Sequence, residues 1–164
     1  QVVVTFSPDG AYGHPDHIQA HRVAMYAAAL AAVPSYRPDL GEPWDISKIY
    51  WGAMSASRMR EGLRRLRAAG DLTSFQGLDP EGPLPPFVTD DANLAAMIDA
   101  TSFASRKMAA LKAHATQITQ DGPFFAMAGD DGEAVWGVEF YRIAKGARGP
   151  LNAEGLETDL FAGL

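Results

Sequence analysis

The sequence predicts an α/β fold. Three observations point to it. The chain opens on a continuous β-branched run, "QVVVTF" at 1–6; apolar runs of strand length alternate with stretches carrying a helical apolar stripe; and Gly- and Pro-rich punctuation separates the two kinds. A continuous valine run reads as a strand buried on both faces and central in a parallel sheet. The rest of the chain offers such a strand few neighbours. Residues 1–164 are therefore expected to be the C-terminal part of a longer domain, or one chain of a split one.

The elements follow in order. Residues 1–6 are predicted as the first strand and 7–14 as a loop rich in Gly and Pro. A helix is expected from Pro15 to Val33: Pro15 suits the first helical position, where its missing N–H costs nothing, and Asp16 sits in the first turn, where the helix dipole favours negative charge. From Val23 to Val33 this helix is apolar almost all round, which predicts deep packing, and Pro34 and Pro38 end it. "SKIYWGA" at 47–53 reads as a second strand. Residues 55–69 form an arginine-rich amphipathic helix closed by Gly70, with Met59, Leu63 and Leu66 on one face. A long loop containing "DPEGPLPP" at 79–86 has the character of a lid or substrate wall. "LAAMIDA" at 94–100 is a third strand. Residues 102–118 make a helix with Ala104, Met108, Leu111, Ala115 and Ile118 on one stripe, and "GVEFYRIAK" at 137–145 is a late strand. The tail from Gly146 reads as a loop until "ETDLFAGL". Together these elements describe a Rossmann-like parallel sheet with flanking helices.

Composition narrows the class. Hydrophobic residues make up 47% of the 164 and charged residues 21%, which suits a packed domain rather than a disordered chain. The formal net charge is -6, and the basic run "RMREGLRRLR" at 58–67 reads as a solvated helix face, so no nucleic-acid partner is expected. No apolar stretch approaches a membrane span and no signal-peptide pattern is present, so no membrane partner is expected either. Cysteine is absent, which removes disulfides, thiolate metal sites and a cysteine nucleophile, and fits a cytoplasmic location.

The chemistry concentrates in "SPDGAYGHPDHIQAHR" at 7–22, which holds three of the four histidines: His14, His17 and His21. In open α/β sheets ligands bind beyond the carboxyl ends of the strands, where this segment lies. Gly10 and Gly13 let the backbone take a tight path, and His14, preceding a proline, is held extended. Three readings stay open on the residues alone. These are ordinary loop and helix-start histidines; or His17 and His21 form an i,i+4 metal pair, which lacks the glutamate of HExxH because Ile18, Gln19 and Ala20 intervene; or one histidine binds a metal and another handles protons, with further ligands from elsewhere.

"YGHPDHIQAHR" at 12–22 resembles the second signature of the LmbE-like, or PIG-L-type, zinc N-deacetylases. "GEPWDISKIYW" at 41–51, "LKAHATQI" at 111–118 and "ETDLFAGL" at 157–164 are similar to the actinobacterial mycothiol-metabolism members of that family. The resemblance implies His17 as a zinc ligand, His14 as the histidine that stabilises the tetrahedral intermediate and donates a proton to the leaving amine, Asp16 as the aspartate that orients and charges it, and Tyr12 as the oxyanion-binding tyrosine. Zinc is the implied cofactor, with iron(II) a possible substitute. The family's first signature, "HPDD", which supplies two further ligands and the general base, does not occur here: Pro8-Asp9 and Pro38-Asp39 follow no histidine. A missing N-terminal half is therefore an implied partner, and this chain by itself is not expected to make a competent zinc site.

The implied activity is removal of an acetyl group from an N-acetylglucosaminyl-inositol, an amino-sugar substrate. Mycothiol S-conjugate amidase is the related alternative, and a carbohydrate-binding module that has lost its metal is the alternative from another class. The remaining candidates are assigned bland roles: His21 to packing or support of the site, His114 to structure, Trp44 and Trp51 to core or wall, and Asp90 and Asp91 to the loop.

Overall fold

The structure, a computed structural model, describes residues 1–119, 122, 125 and 137–164. The chain divides into two compact units, Gln1–Ala53 with Ala92–Met97 and Phe140–Leu164, and Met54–Asp91 with Ile98–Glu139. The strands are β1 (Val2–Thr5), β2 (Lys48–Ser55), β3 (Val88–Thr89), β4 (Ala96–Asp99) and β5 (Val138–Lys145). The helices are the single distorted turn α1 (Gly10–Gly13), α2 (Pro15–Ala31), α3 (Ala56–Ala68) and α4 (Ala104–Ala113).

In the first unit the strand order is β1-β2-β5-β4. β1 and β2 are parallel, with Val2 opposite Lys48 and Thr5 opposite Trp51, and α2 lies between them in sequence as a crossover. β5 runs antiparallel to β2. The sheet is therefore mixed, which corrects the expectation of a parallel one. β1 also differs from its expected central place: it stands at the end of the strand order, and Val4 is 51% exposed. Alternate side chains of a strand face opposite ways. Val3 packs against the core of Ala28, Ile46 and Ile49, while nothing among the described residues buries Val4.

The deep packing expected of α2 is likewise corrected. Only Ala28 is buried, and Val23, Tyr26 and Val33 are all exposed. An all-round apolar helix needs partners on every side, and the described residues supply them along one strip, from Met25 and Ala28 to Ile46, Ile49 and Ala144. Trp44 is exposed rather than in a wall, and its backbone N–H donates to the Ala31 carbonyl at 2.7 Å, satisfying the end of α2.

The tail of the first unit is fastened by a buried polar cluster. Lys48 Nζ donates to Glu157 Oε1 at 2.8 Å and to the Ala162 carbonyl at 2.7 Å, and Tyr50 donates to Glu157 Oε2 at 2.8 Å. The Gly149 N–H completes the set on Oε1 at 2.6 Å. Burial pushes the Glu157 carboxyl up, but bonds from Lys48, Gly149 and Tyr50 outweigh it and hold its pKa below the ordinary value. Burial acts downward on the Lys48 ammonium, and its contacts with Glu157 and Tyr50 bring the net shift upward. Glu157 also bridges Ala96 and Leu151 through its backbone.

In the second unit the last two residues of β2 pair in parallel with β3. Helix α3 follows the predicted pattern: Met59, Leu63 and Leu66 are buried, and the N-cap Ser55 hydroxyl accepts from the Arg58 N–H. Asp91, expected to be a plain loop carboxylate, extends this cap. It accepts from the Ser55 hydroxyl at 2.7 Å and from the Ser57 N–H at 3.3 Å. Burial pushes its carboxyl up, but these bonds carry it below the ordinary value. The arginine face ties down the loop beyond Gly70 rather than standing free. Arg64 pairs with Glu81 at 2.7 Å, Arg60 donates to the Pro80 and Gly82 carbonyls, and Arg67 reaches the Gly77 and Leu78 carbonyls. Helix α4 ends at Ala113 with His114 at its cap, so Ala115 and Ile118 lie beyond the helix that was expected to carry them. Of the expected stripe, Ala104 is buried and Met108 and Leu111 are half-buried.

Candidate active site

The segment between β1 and α2 builds the site from its own backbone. Ser7, buried, donates its hydroxyl to the Asp9 carboxylate, and the Gly10 N–H returns to the Ser7 carbonyl at 2.9 Å. The Ala11 N–H is shared between the Ser7 hydroxyl at 3.3 Å and Asp9 Oδ1 at 3.2 Å. Gly10 has a φ of +64°, and a Cβ there would lie 2.7 Å from the Ile18 nitrogen. Only glycine lets the loop lie this close to the first turn of α2. Ala11 shares a positive φ, 64°, with ψ at -93°. Left-handed backbone at a residue with a Cβ is a strained arrangement of the kind that gathers at functional sites.

Three predicted residues meet on this frame. The rings of His14 and His17 lie 4.9 Å apart, and the Tyr12 ring stands edge-on to both, 5.1 Å from His17 and 5.9 Å from His14. His17 Nδ1 lies 3.3 Å from the Gly10 carbonyl. A carbonyl only accepts, so Nδ1 carries the proton and Nε2 keeps its lone pair. His14 has the opposite arrangement: it is the N-cap of α2, and its Nδ1 accepts from the Asp16 N–H at 3.1 Å. In the neutral ring the His14 proton therefore sits on Nε2. Asp16 touches His14 through this backbone bond, and among the described residues its carboxylate makes no hydrogen bond to the ring.

His21 lies one turn on and is built in differently. Its Nδ1 donates to the Phe6 carbonyl at 2.8 Å, and its ring meets Trp51 at 5.4 Å. Trp51 also carries the Arg142 guanidinium at 5.5 Å, and its indole N–H is buried without a partner among the described residues. Phe6, which drew no attention in the sequence, stacks on His17 with centroids 4.1 Å apart and planes 10° from parallel. An aromatic at the strand end, eight residues before the first histidine of the motif, would have been the signal.

The chemistry of these donors suits a metal in one respect. A histidine that ligates through one nitrogen characteristically gives its other N–H to a carbonyl or carboxylate, as His17 does with Gly10. Among the described residues no three His, Asp or Glu side chains group closely enough to hold a metal ion.

No family model matches the chain. A protein of Nocardioides sp. is 68% identical over 164 residues, covering 100% of this chain and 54% of its own length. A Kribbella flavida protein is 60% identical with the same coverage, and one from Geodermatophilus obscurus is 52% identical, covering 100% of this chain and 55% of its own length. All three are named 1D-myo-inositol 2-acetamido-2-deoxy-alpha-D-glucopyranoside deacetylase. Over its whole length the chain is similar to these deacetylases. It spans about half the length of the curated relatives it matches. The identity runs through all 164 residues, so the His14–His17 loop and the Glu157 tail both fall within the portion shared with the deacetylases.

Proposed function

We propose that this chain forms part of a zinc-dependent N-deacetylase that hydrolyses the acetamide of an N-acetylglucosaminyl-inositol, the deacetylase step of mycothiol biosynthesis, in the cytoplasm. The observation that carries the reading is the set of rings at the start of α2, in a chain 68% identical over its whole length to a named deacetylase. The names of the relatives favour the deacetylase over the S-conjugate amidase. The parallel β1–α2–β2 crossover is the unit from which a Rossmann-like sheet is built, and the remaining ligands and the general base come from the part of the protein outside these residues.

In this reading His17 holds zinc through Nε2, with iron(II) able to take the same place. A zinc ion bound there supplies a water of lowered pKa and polarises the amide carbonyl. His14 presents an N–H at Nε2, which donates a hydrogen bond to the developing oxyanion; to give a proton to the leaving amine the ring would first take up a second proton at Nδ1, releasing the Asp16 N–H. Tyr12, edge-on to both rings, gives a second donor to the oxyanion, and Asp16 fixes the His14 ring through its backbone N–H.

The test uses the complete protein. Release of free amine from the N-acetylglucosaminyl-inositol is followed alongside metal content after dialysis. Wild type is expected to turn over and retain about one zinc per chain, and His17→Ala to lose both. Retention of zinc by His17→Ala would remove His17 from the site.

A further inference from the structure

We propose that Phe6 and His21 are positioning residues that set the plane and tautomer of the His17 imidazole before any metal is bound. The inference deepens the reading of His17 as a ligand and rests on it for its functional meaning.

Phe6 is the first residue after β1, and the pairing of β1 with β2 ends at Thr5 opposite Trp51. The sheet therefore does not hold the Phe6 peptide. Helix α2 does. His17 and His21 are four residues apart, so they share a face of the helix. The first meets the Phe6 ring at 4.1 Å, nearly parallel, and the second donates to the Phe6 carbonyl at 2.8 Å. One residue is thus gripped at two points by two successive turns. His21 is itself fixed from its other side of contact by Trp51, 5.4 Å away, which packs with Arg142.

The consequence for His17 is specific. Its Nδ1–H bond to Gly10 is long, 3.3 Å, and alone is a weak constraint on ring rotation. A flat aromatic surface against the imidazole face restricts rotation about the Cβ–Cγ bond, so the N–H stays aimed at the Gly10 carbonyl and Nε2 stays the free donor. Without the Phe6 plate the ring is free to turn, and the Nδ1–H form loses the support of the Gly10 carbonyl. Residues that orient a metal ligand in this way typically change metal affinity 10–100-fold when lost.

The variants are Phe6→Leu, His21→Ala and His21→Asn in the complete protein. Asparagine places its amide nitrogen where the histidine Nδ1 stands, so His21→Asn keeps the bond to the Phe6 carbonyl without an imidazole. The first readout is the tautomer of His17 in metal-free protein, from the nitrogen shifts of its ring by NMR. Wild type and His21→Asn are expected to show the Nδ1–H form, and His21→Ala and Phe6→Leu a mixture. The second is the zinc Kd by chelator competition, expected to weaken about 10–100-fold in His21→Ala and Phe6→Leu and to return close to wild type in His21→Asn. An unchanged tautomer and Kd in His21→Ala would overturn the proposal. So would His21→Asn binding zinc as poorly as His21→Ala, which would make His21 a ligand. The pair at position 21 decides the matter even where Phe6→Leu fails to fold. If His17→Ala keeps its zinc, the reading of His17 as a ligand fails instead, and the tautomer measurement still judges the clamp.

Discussion

In the proposed function His14 has two jobs on one ring, and they can be separated. Its Nδ1 caps α2 by accepting from the Asp16 N–H, which in the neutral ring leaves the proton on Nε2, the atom the proposal aims at the oxyanion. His14→Ala loses both, at a stability cost of about 1 kcal/mol for the cap. Asparagine is among the best N-cap residues, so His14→Asn is expected to keep the wild-type thermal midpoint while turnover falls by about 10²–10⁴-fold, the range for loss of a general acid. The loss should fall on kcat more than KM, with zinc retained, because the role is confined to the transition state. Steady-state kinetics with metal analysis of both variants checks this. Loss of zinc by His14→Asn would exchange the roles of His14 and His17.

At the scale of elements, the loop before α2 depends on one missing side chain. In Gly10→Ala the new methyl would lie 2.7 Å from the Ile18 nitrogen and 3.0 Å from the His17 Cβ, at a φ of +64°. Both effects push the loop off the helix, and the expected cost is about 1–3 kcal/mol, read as a fall in the urea midpoint. Zinc affinity is expected to fall with it, because the Gly10 carbonyl is the partner of His17 Nδ1. The need for Gly10 was visible in the sequence as a glycine beside a helix start, as was α3, whose stripe of Met59, Leu63 and Leu66 needs only local periodicity. What was not legible depends on partners far along the chain. The valine run of β1 and the apolar length of α2 both read as deeply buried, yet a pattern shows what a segment can bury and not what is there to cover it. The same limit hid the stacking of Phe6 on His17 and the role of Asp91, which caps a helix that starts 35 residues earlier. Grouping of Tyr12, His14 and His17 was legible because one short segment carries all three.

At the scale of the molecule, the Lys48–Tyr50–Glu157 cluster joins the middle of the chain to its tail. Lys48 is 2% exposed and Glu157 fully buried, so breaking the pair leaves a charge without a partner. Glu157→Gln is expected to cost about 3–5 kcal/mol, and the double variant Lys48→Met/Glu157→Leu to recover most of it, because an apolar pair leaves no charge behind. The pH dependence follows from the direction of the shift. The folded Glu157 pKa lies below its ordinary value, so its contribution is complete above the unfolded carboxyl pKa of about 4.3 and is lost as pH falls through the lower folded value. Urea midpoints measured from pH 7 to pH 3 should decline below about pH 4 in wild type, and the decline should be shallower in the double variant. Equal slopes for the two proteins would show that the cluster does not govern acid stability.

The span of that cluster has a consequence for biosynthesis. Lys48 and Glu157 are 109 residues apart. At translation rates of about 5–20 residues per second, Lys48 leaves the ribosome about 5–20 s before its counter-charge exists. During that interval β2 can pair with β1 but has neither β5 nor the tail, and its lysine stays hydrated at the start of an apolar strand. Burying that ammonium before Glu157 exists would leave a charge without a partner, so burial of Lys48 is expected to wait for the tail. Among the described residues bonded to Lys48, those of the tail, Glu157 and Ala162, are made last, so this pairing can close only late in synthesis.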